Sequence, residues 1–177
     1  MKKFFMYVGL VVFLVPVQTT LLPHVAIWDI RPDLGLVAAA LIGVLAGELE
    51  GLLVGLAIGW ILNLYSAGDL WLNLVTTGGA GLFAGLLAKQ VAEITPTILS
   101  IGLLLLSLAG GVVAVFSMKH ATMGDTWWMV QFVVVPQACF DAVVGAGLLW
   151  FLEQRLSLPR FGMSDRYSSL MDQAGHL

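Results

Sequence analysis

Charge is what this sequence has least of. Asp, Glu, Lys and Arg make up 11% of its 177 residues, 8 basic and 11 acidic, against 59% apolar. A water-soluble domain needs about 25% charged residues to cover its surface, and a mean hydropathy of +0.96 sets this chain well outside that class. The net charge of -3 leaves no basic stripe for neutralising phosphates, which excludes nucleic acid as a partner. One cysteine, Cys139, rules out an intramolecular disulfide, and with His24, His120 and His176 it makes no metal-ligand spacing. No glycine-rich loop leads into a lysine to cradle a phosphate, so neither metal nor cofactor is expected. What is present is a series of long apolar runs, the composition of an all-α polytopic membrane protein.

Six such runs can be drawn. The first, residues 4–22, follows Lys2 and Lys3 as a signal peptide would, but it is long and closes on Gln18, Thr19, Thr20 and Pro23 without a small-x-small cleavage site, so an uncleaved helix is expected. Residues 24–33 carry His24, Trp28, Asp29, Arg31 and Pro32, a mixture suited to the membrane interface. The apolar stretch 34–65 would measure about 48 Å as one helix, against a hydrocarbon core of roughly 30 Å. It is therefore divided at Glu48 and Glu50 into two short helices, 34–47 and 51–66. Ser66, Ala67, Gly68 and Asp69 read as a turn, and a fourth helix is expected over 70–92. A fifth begins at Pro96, where proline is tolerated in the first turn, and ends near Met118. Trp127 and Trp128 then introduce apolar residues that continue to Leu156. Two arrangements suit residues 127–135: a segment lying in the interface, or part of a long sixth helix kinked at Pro136. Residues 1–156 thus form one six-helix membrane domain, with a polar, loosely ordered tail at 157–177. Lys2, Lys3, Lys89, Arg155, Arg160 and Arg166 fall on the side of the termini, with only Arg31 and Lys119 opposite, so the positive-inside rule puts both termini in the cytoplasm.

Gly43, Gly47, Gly51, Gly55 and Gly59 recur every fourth residue, and a second group of small residues surrounds Gly78, Gly79, Gly81 and Gly85. Glycine at this spacing lets two helix backbones approach closely in lipid, so the ladder marks a contact surface, either within this chain or for a partner's membrane helix. Because four residues advance about 400°, the row drifts around the helix and is not one straight seam. Gln18, Thr19, Thr20, Asn63, Asn73, Thr76 and Thr77 stand at helix ends, where interhelical hydrogen bonding is the expected use. Asp141 stands out, because an ionised Asp at a helix centre costs roughly 2.5 to 3.5 kcal/mol and demands water, a partner or a proton. If its helix began at Pro136, it would lie only about 7 Å inside, close to the interface. Asp69 with Asp141 is a loose carboxylate pair without a supporting motif, and His24 and His120 have no nucleophile elbow near them, so no enzymatic activity is expected.

The order of these marks carries a resemblance. Gln18, Thr19, Thr20 and Pro23 close the first helix, Arg31, Pro32, Asp33 and Leu34 open the second, and the glycine ladder follows. Then come Gly59, Asn63, Ser66, Gly68, Asp69, Leu72 and Asn73, and later Pro136, Phe140 and Asp141. Over nearly its whole length the chain resembles the rod shape-determining protein MreD family, with Asn63 where Asp is usual, Trp71 where Gly is usual, and Asp141 where Asn is common. The resemblance implies a bacterial inner-membrane scaffold of the cell-elongation machinery, supporting lateral peptidoglycan synthesis and cell shape. It further implies binding to MreC and, through it, to RodA, its penicillin-binding transpeptidase and MreB. It also implies an architecture like that of the substrate-binding subunits of energy-coupling-factor transporters, which leaves a vitamin-type solute-binding subunit as the alternative. Against that alternative, residues 8–17 of the first helix contain no Ala for the Ala-x-x-x-Ala spacing those subunits use in coupling.

Overall fold

The computed structural model describes residues 2–21, 30–65, 70–91, 95–117 and 123–156, nearly all of them helical. The interfacial residues 24–29, the turn at 66–69, Lys119 and His120, and the tail 157–177 lie outside the described residues. Helix α1, Lys2–Pro16, continues as a π-helical turn, Val17–Leu21. It is followed by α2, Leu34–Ala46, α3, Glu48–Tyr65, α4, Leu70–Gln90, and α5, Pro96–Ser117. Last come α6, Met123–Met129, a π-turn, Val130–Val134, and α7, Val135–Leu156.

Among the described residues four helices are long and apolar enough to cross a membrane: Glu48–Tyr65, Leu70–Gln90, Pro96–Ser117 and the continuous run Gly124–Leu152. The outer surface agrees with a lipid surround, since Phe13, Leu64, Tyr65 and Val143 each stand at least 70% exposed. Residues 127–135 therefore belong to one long helix, and it starts ahead of the tryptophans. Pro136 has no N–H to give to the preceding turn, and the helix accommodates it by widening into the π-turn just before it.

The break in the 34–65 stretch falls at Gly47, not at the two glutamates. Gly47 has φ of +116°, a conformation that L side chains resist, and Glu48 and Glu50 become the first turn of α3, where carboxylates suit the helix dipole. Helix α3 is consequently longer than the sequence predicts and reaches spanning length. Helix α2 stays short, about 20 Å, because it is enclosed by protein: residues Gly35 through Gly43 are all buried. It folds back against α3, with Ile42 and Ala38 beside Val54 and Ile58, and Val11 of α1 joins that cluster. Its other side packs Val37, Ala40 and Leu41 against Ala80 and Ala84 of α4, Leu99 and Leu103 of α5, and Leu149 of α7.

The glycines set how close these helices come. A Cβ on Gly43 would lie 2.1 Å from the carbonyl oxygen of Gly81, and one on Gly55 would lie 2.3 Å from that of Thr77. One on Gly59 would meet Asn73 O at 2.6 Å. The α2–α3 hairpin is thus in backbone contact with α4, and the Thr77 hydroxyl adds to the contact by sharing its hydrogen between Gly55 O at 2.8 Å and Asn73 O of its own helix at 2.6 Å. Gly47 takes no part in this surface, since a Cβ there would meet nothing within 4 Å. Its function is the turn.

Candidate functional site

The two ends of the bundle are fastened differently. At one end the Tyr7 hydroxyl donates to Glu50, and Lys89 pairs with Glu48, so that α1 and α4 are both held to the start of α3. At the other end a partly buried polar knot ties four parts of the chain together. It is built outward from Asp33, the N-cap of α2, whose Oδ1 accepts from the backbone N–H groups of Gly35 at 3.0 Å and Leu36 at 3.1 Å. A helix start leaves such donors without intrahelical partners, and an Asp cap is the usual remedy. Gln18, in the π-turn that ends α1, completes the cap reciprocally. Its Nε2 donates to Asp33 Oδ1 at 2.9 Å, and its Oε1 accepts from Gly35 N–H at 2.9 Å.

The backbone N–H of Asp33 is directed elsewhere. It donates to Oδ1 of Asp141 at 2.6 Å, while the Ser107 hydroxyl donates to Oδ2 of the same carboxylate. Asp141 is completely buried. It lies well inside the long helix that begins at Met123, so the helix that carries it does not begin at Pro136. Two hydrogen bonds to a charged acceptor contribute about 1.5 to 3 kcal/mol each, enough to offset the insertion cost of roughly 2.5 to 3.5 kcal/mol. The carboxylate is retained in the core because it closes a knot between α1, α2, α5 and α7.

A cavity of about 200 Å³ adjoins the knot, with Asp33, Asn73, Thr76, Ser107 and Gln137 among its lining residues. Gln18, Asp33 and Asp141 are thereby brought together by direct bonds, and Asn73 joins them at the cavity while donating to Asn63 Oδ1 at 3.4 Å. Thr19 is half-buried in the π-turn beside Gln18, Pro32 is half-buried just before the cap, and Pro136 follows the second π-turn. Of the glycine ladder, Gly43, Gly51, Gly55 and Gly59 serve the contact with α4.

Ser107 escapes the sequence reading. The only signal for it is a lone hydroxyl within the leucine-rich run 101–109, and nothing local ties it to a carboxylate 34 residues away. Among the described residues no three of His, Cys, Asp and Glu gather as a metal site would require. The hydroxyl of Ser107 faces a carboxylate that already accepts a backbone N–H, an arrangement that holds helices in register. No protein-family model matches the chain, and neither a curated protein nor a solved structure matches it.

Proposed function

We propose that this chain is a non-enzymatic scaffold of the bacterial cell-elongation complex, an MreD-like protein that binds MreC in the inner membrane. Through MreC it would support RodA, its penicillin-binding transpeptidase and MreB in lateral wall synthesis. The observation that carries the reading is the knot itself. Gln18, Asp33 and Asp141 come from three of the segments on which the resemblance rests, and their side chains are spent on one another and on backbone donors. Side chains so committed stabilise a shape; they are poorly placed to attack a substrate.

In this reading the two shorter apolar helices, at Tyr7–Thr20 and Leu34–Ala46, also traverse the bilayer. That makes six crossings, an architecture comparable to the energy-coupling-factor subunits, with both termini in the cytoplasm beside Lys2, Lys3 and Lys89. Since α4 already covers Gly43, Gly51, Gly55 and Gly59, a partner helix would dock on an outward face, such as that of α1 around Val12 and Phe13. Affinity capture of the tagged chain from native membranes tests the proposal: co-purification of MreC is expected. Recovery of the intact chain without MreC, from cells in which MreC is present, would reject it.

The alternative, a solute-binding subunit of a vitamin-type transporter, is favoured by one observation, the cavity beside Asp33. A thermal-shift screen of vitamin-like solutes separates the two, since a ligand at 100 times its Kd stabilises by about 2.7 kcal/mol.

A further inference from the structure

We infer that the cavity beside Asp33 is a binding site for a small monovalent cation. Proton bookkeeping on its wall gives the reason. The Thr76 hydroxyl spends its hydrogen on Leu72 O at 2.8 Å, within its own helix, and the Ser107 hydroxyl spends its hydrogen on Asp141. The Asn73 amide nitrogen is turned to Asn63. Thr76 and Ser107 therefore have only oxygen lone pairs left for the cavity, Asn73 keeps its amide oxygen and one N–H, and Asp33 adds a carboxylate. Thr76 and Asn73 come from α4, Ser107 from α5, Gln137 from α7 and Asp33 from the start of α2, so oxygen-bearing groups converge from four directions.

The charge balance has the same sign. Asp141 stands immediately behind the wall, joined to Ser107 and to the backbone of Asp33, and no Lys, Arg or His is among the described residues lining the cavity. The described wall thus carries negative charge and no cationic side chain, the sign that favours a cation in the cavity. The N-terminus of α2 supplies only roughly half a unit, which leaves the wall net negative for a bound cation.

The donor set selects the class. Hydroxyl, amide and carboxylate oxygens are hard ligands, and the described wall has no thiolate or imidazole for a soft metal. One lining carboxylate is too few for the carboxylate-rich, six-to-eight-oxygen shell that calcium prefers. At about 30 Å³ per water, 200 Å³ accommodates an alkali ion with part of its hydration shell, or a primary ammonium group. The inference concerns the cavity alone and does not rest on partner binding, so the capture of MreC and the test below fail independently.

The test is thermal unfolding of the purified full-length chain in detergent, in chloride salts of Na⁺, K⁺ and methylammonium. N-methylglucamine chloride at the same ionic strength is the reference. A saturable rise of about 5 °C at a hundredfold excess over Kd is expected with at least one small cation. A response to Na⁺ or K⁺ alone identifies a metal ion, and a response to methylammonium alone an amine. Thr76→Val and Gln137→Leu should remove the rise while leaving the Tm in the reference salt nearly unchanged. Saturable ²²Na⁺ or ⁸⁶Rb⁺ binding to the wild-type chain checks the site without any substitution. The inference is overturned if all four salts give the same Tm and no tracer binds, or if both variants keep the full response.

Discussion

Substitution of Gly81 by alanine isolates what the helix contact is worth. A Cβ at that position would lie 2.1 Å from the carbonyl oxygen of Gly51 and 2.4 Å from its carbon. An ordinary contact of this kind is near 3.4 Å, and because both sides are backbone no rotamer change relieves the clash. Helices α3 and α4 must separate by roughly 1 Å. That shift carries the Thr77 hydroxyl, now 2.8 Å from Gly55 O, beyond hydrogen-bonding distance, and it loosens Gly55 and Gly59 from Thr77 and Asn73. Overpacking of a well-filled contact costs about 1 to 3 kcal/mol, and an interhelical hydrogen bond in a membrane protein about 0.6. The total is roughly 2 to 4 kcal/mol, and at about 2 to 4 °C per kcal/mol for a chain of this size the Tm should fall by about 5 to 15 °C. Gly79→Ala is the control, because a Cβ there meets nothing within 4 Å on the same helix two residues away. It should be neutral or slightly stabilising, given alanine's higher helix propensity. The two variants are compared with wild type by thermal unfolding in one detergent at one scan rate, using the fluorescence of the six tryptophans. Equal Tm values for Gly81→Ala and Gly79→Ala would refute the close-contact argument.

Three further outcomes are expected. Gly47→Ala should destabilise by about 1 to 2 kcal/mol despite open space around it, because its φ of +116° is unfavourable for any L side chain; an unchanged Tm would show that the turn relaxes freely. Ser107→Ala strips Asp141 Oδ2 of its donor and should cost about 1 to 3 kcal/mol, whereas Asp141→Asn, which can accept from Asp33 N–H and donate to Ser107, should cost less than Asp141→Leu. If Asn and Leu at 141 unfold at the same temperature, hydrogen bonding is not what holds the knot. Cys139 is exposed on a helix long and apolar enough to cross the membrane, so a charged maleimide, which lipid excludes, should label it only after the membrane is dissolved; rapid labelling in intact membranes would place α7 in water.

Helix limits were readable wherever a local rule sets them. Pro96 opens α5 because proline fits a first turn, and the apolar run from Leu70 gives α4 its start and, to within two residues, its end. The hinge at Gly47 was not readable, because a run of glycines at equal spacing does not reveal which one takes a positive φ. Nor does the ladder say what it touches: Gly43 and Gly81 are in backbone contact through a fold that only the assembled helices define. Asp141 could be recognised as needing a partner from its cost in lipid, but the identity of that partner, a serine on one helix and a backbone N–H on another, is a property of tertiary arrangement. The two π-turns depend on how the chain around Pro16 and Pro136 is packed, and proline alone marks only the neighbourhood.

The bond between Asp33 and Asp141 joins residues 108 positions apart. At about 5 to 20 residues per second, the ribosome delivers the second some 5 to 20 seconds after the first. Throughout that interval the entry of α2 carries a backbone donor with no acceptor of its own, so the early helices wait in a provisional assembly that only the late arrival of α7 completes. A chain whose synthesis stops before that point would expose an unfinished polar end, a mark by which membrane proteases can tell it from the finished protein.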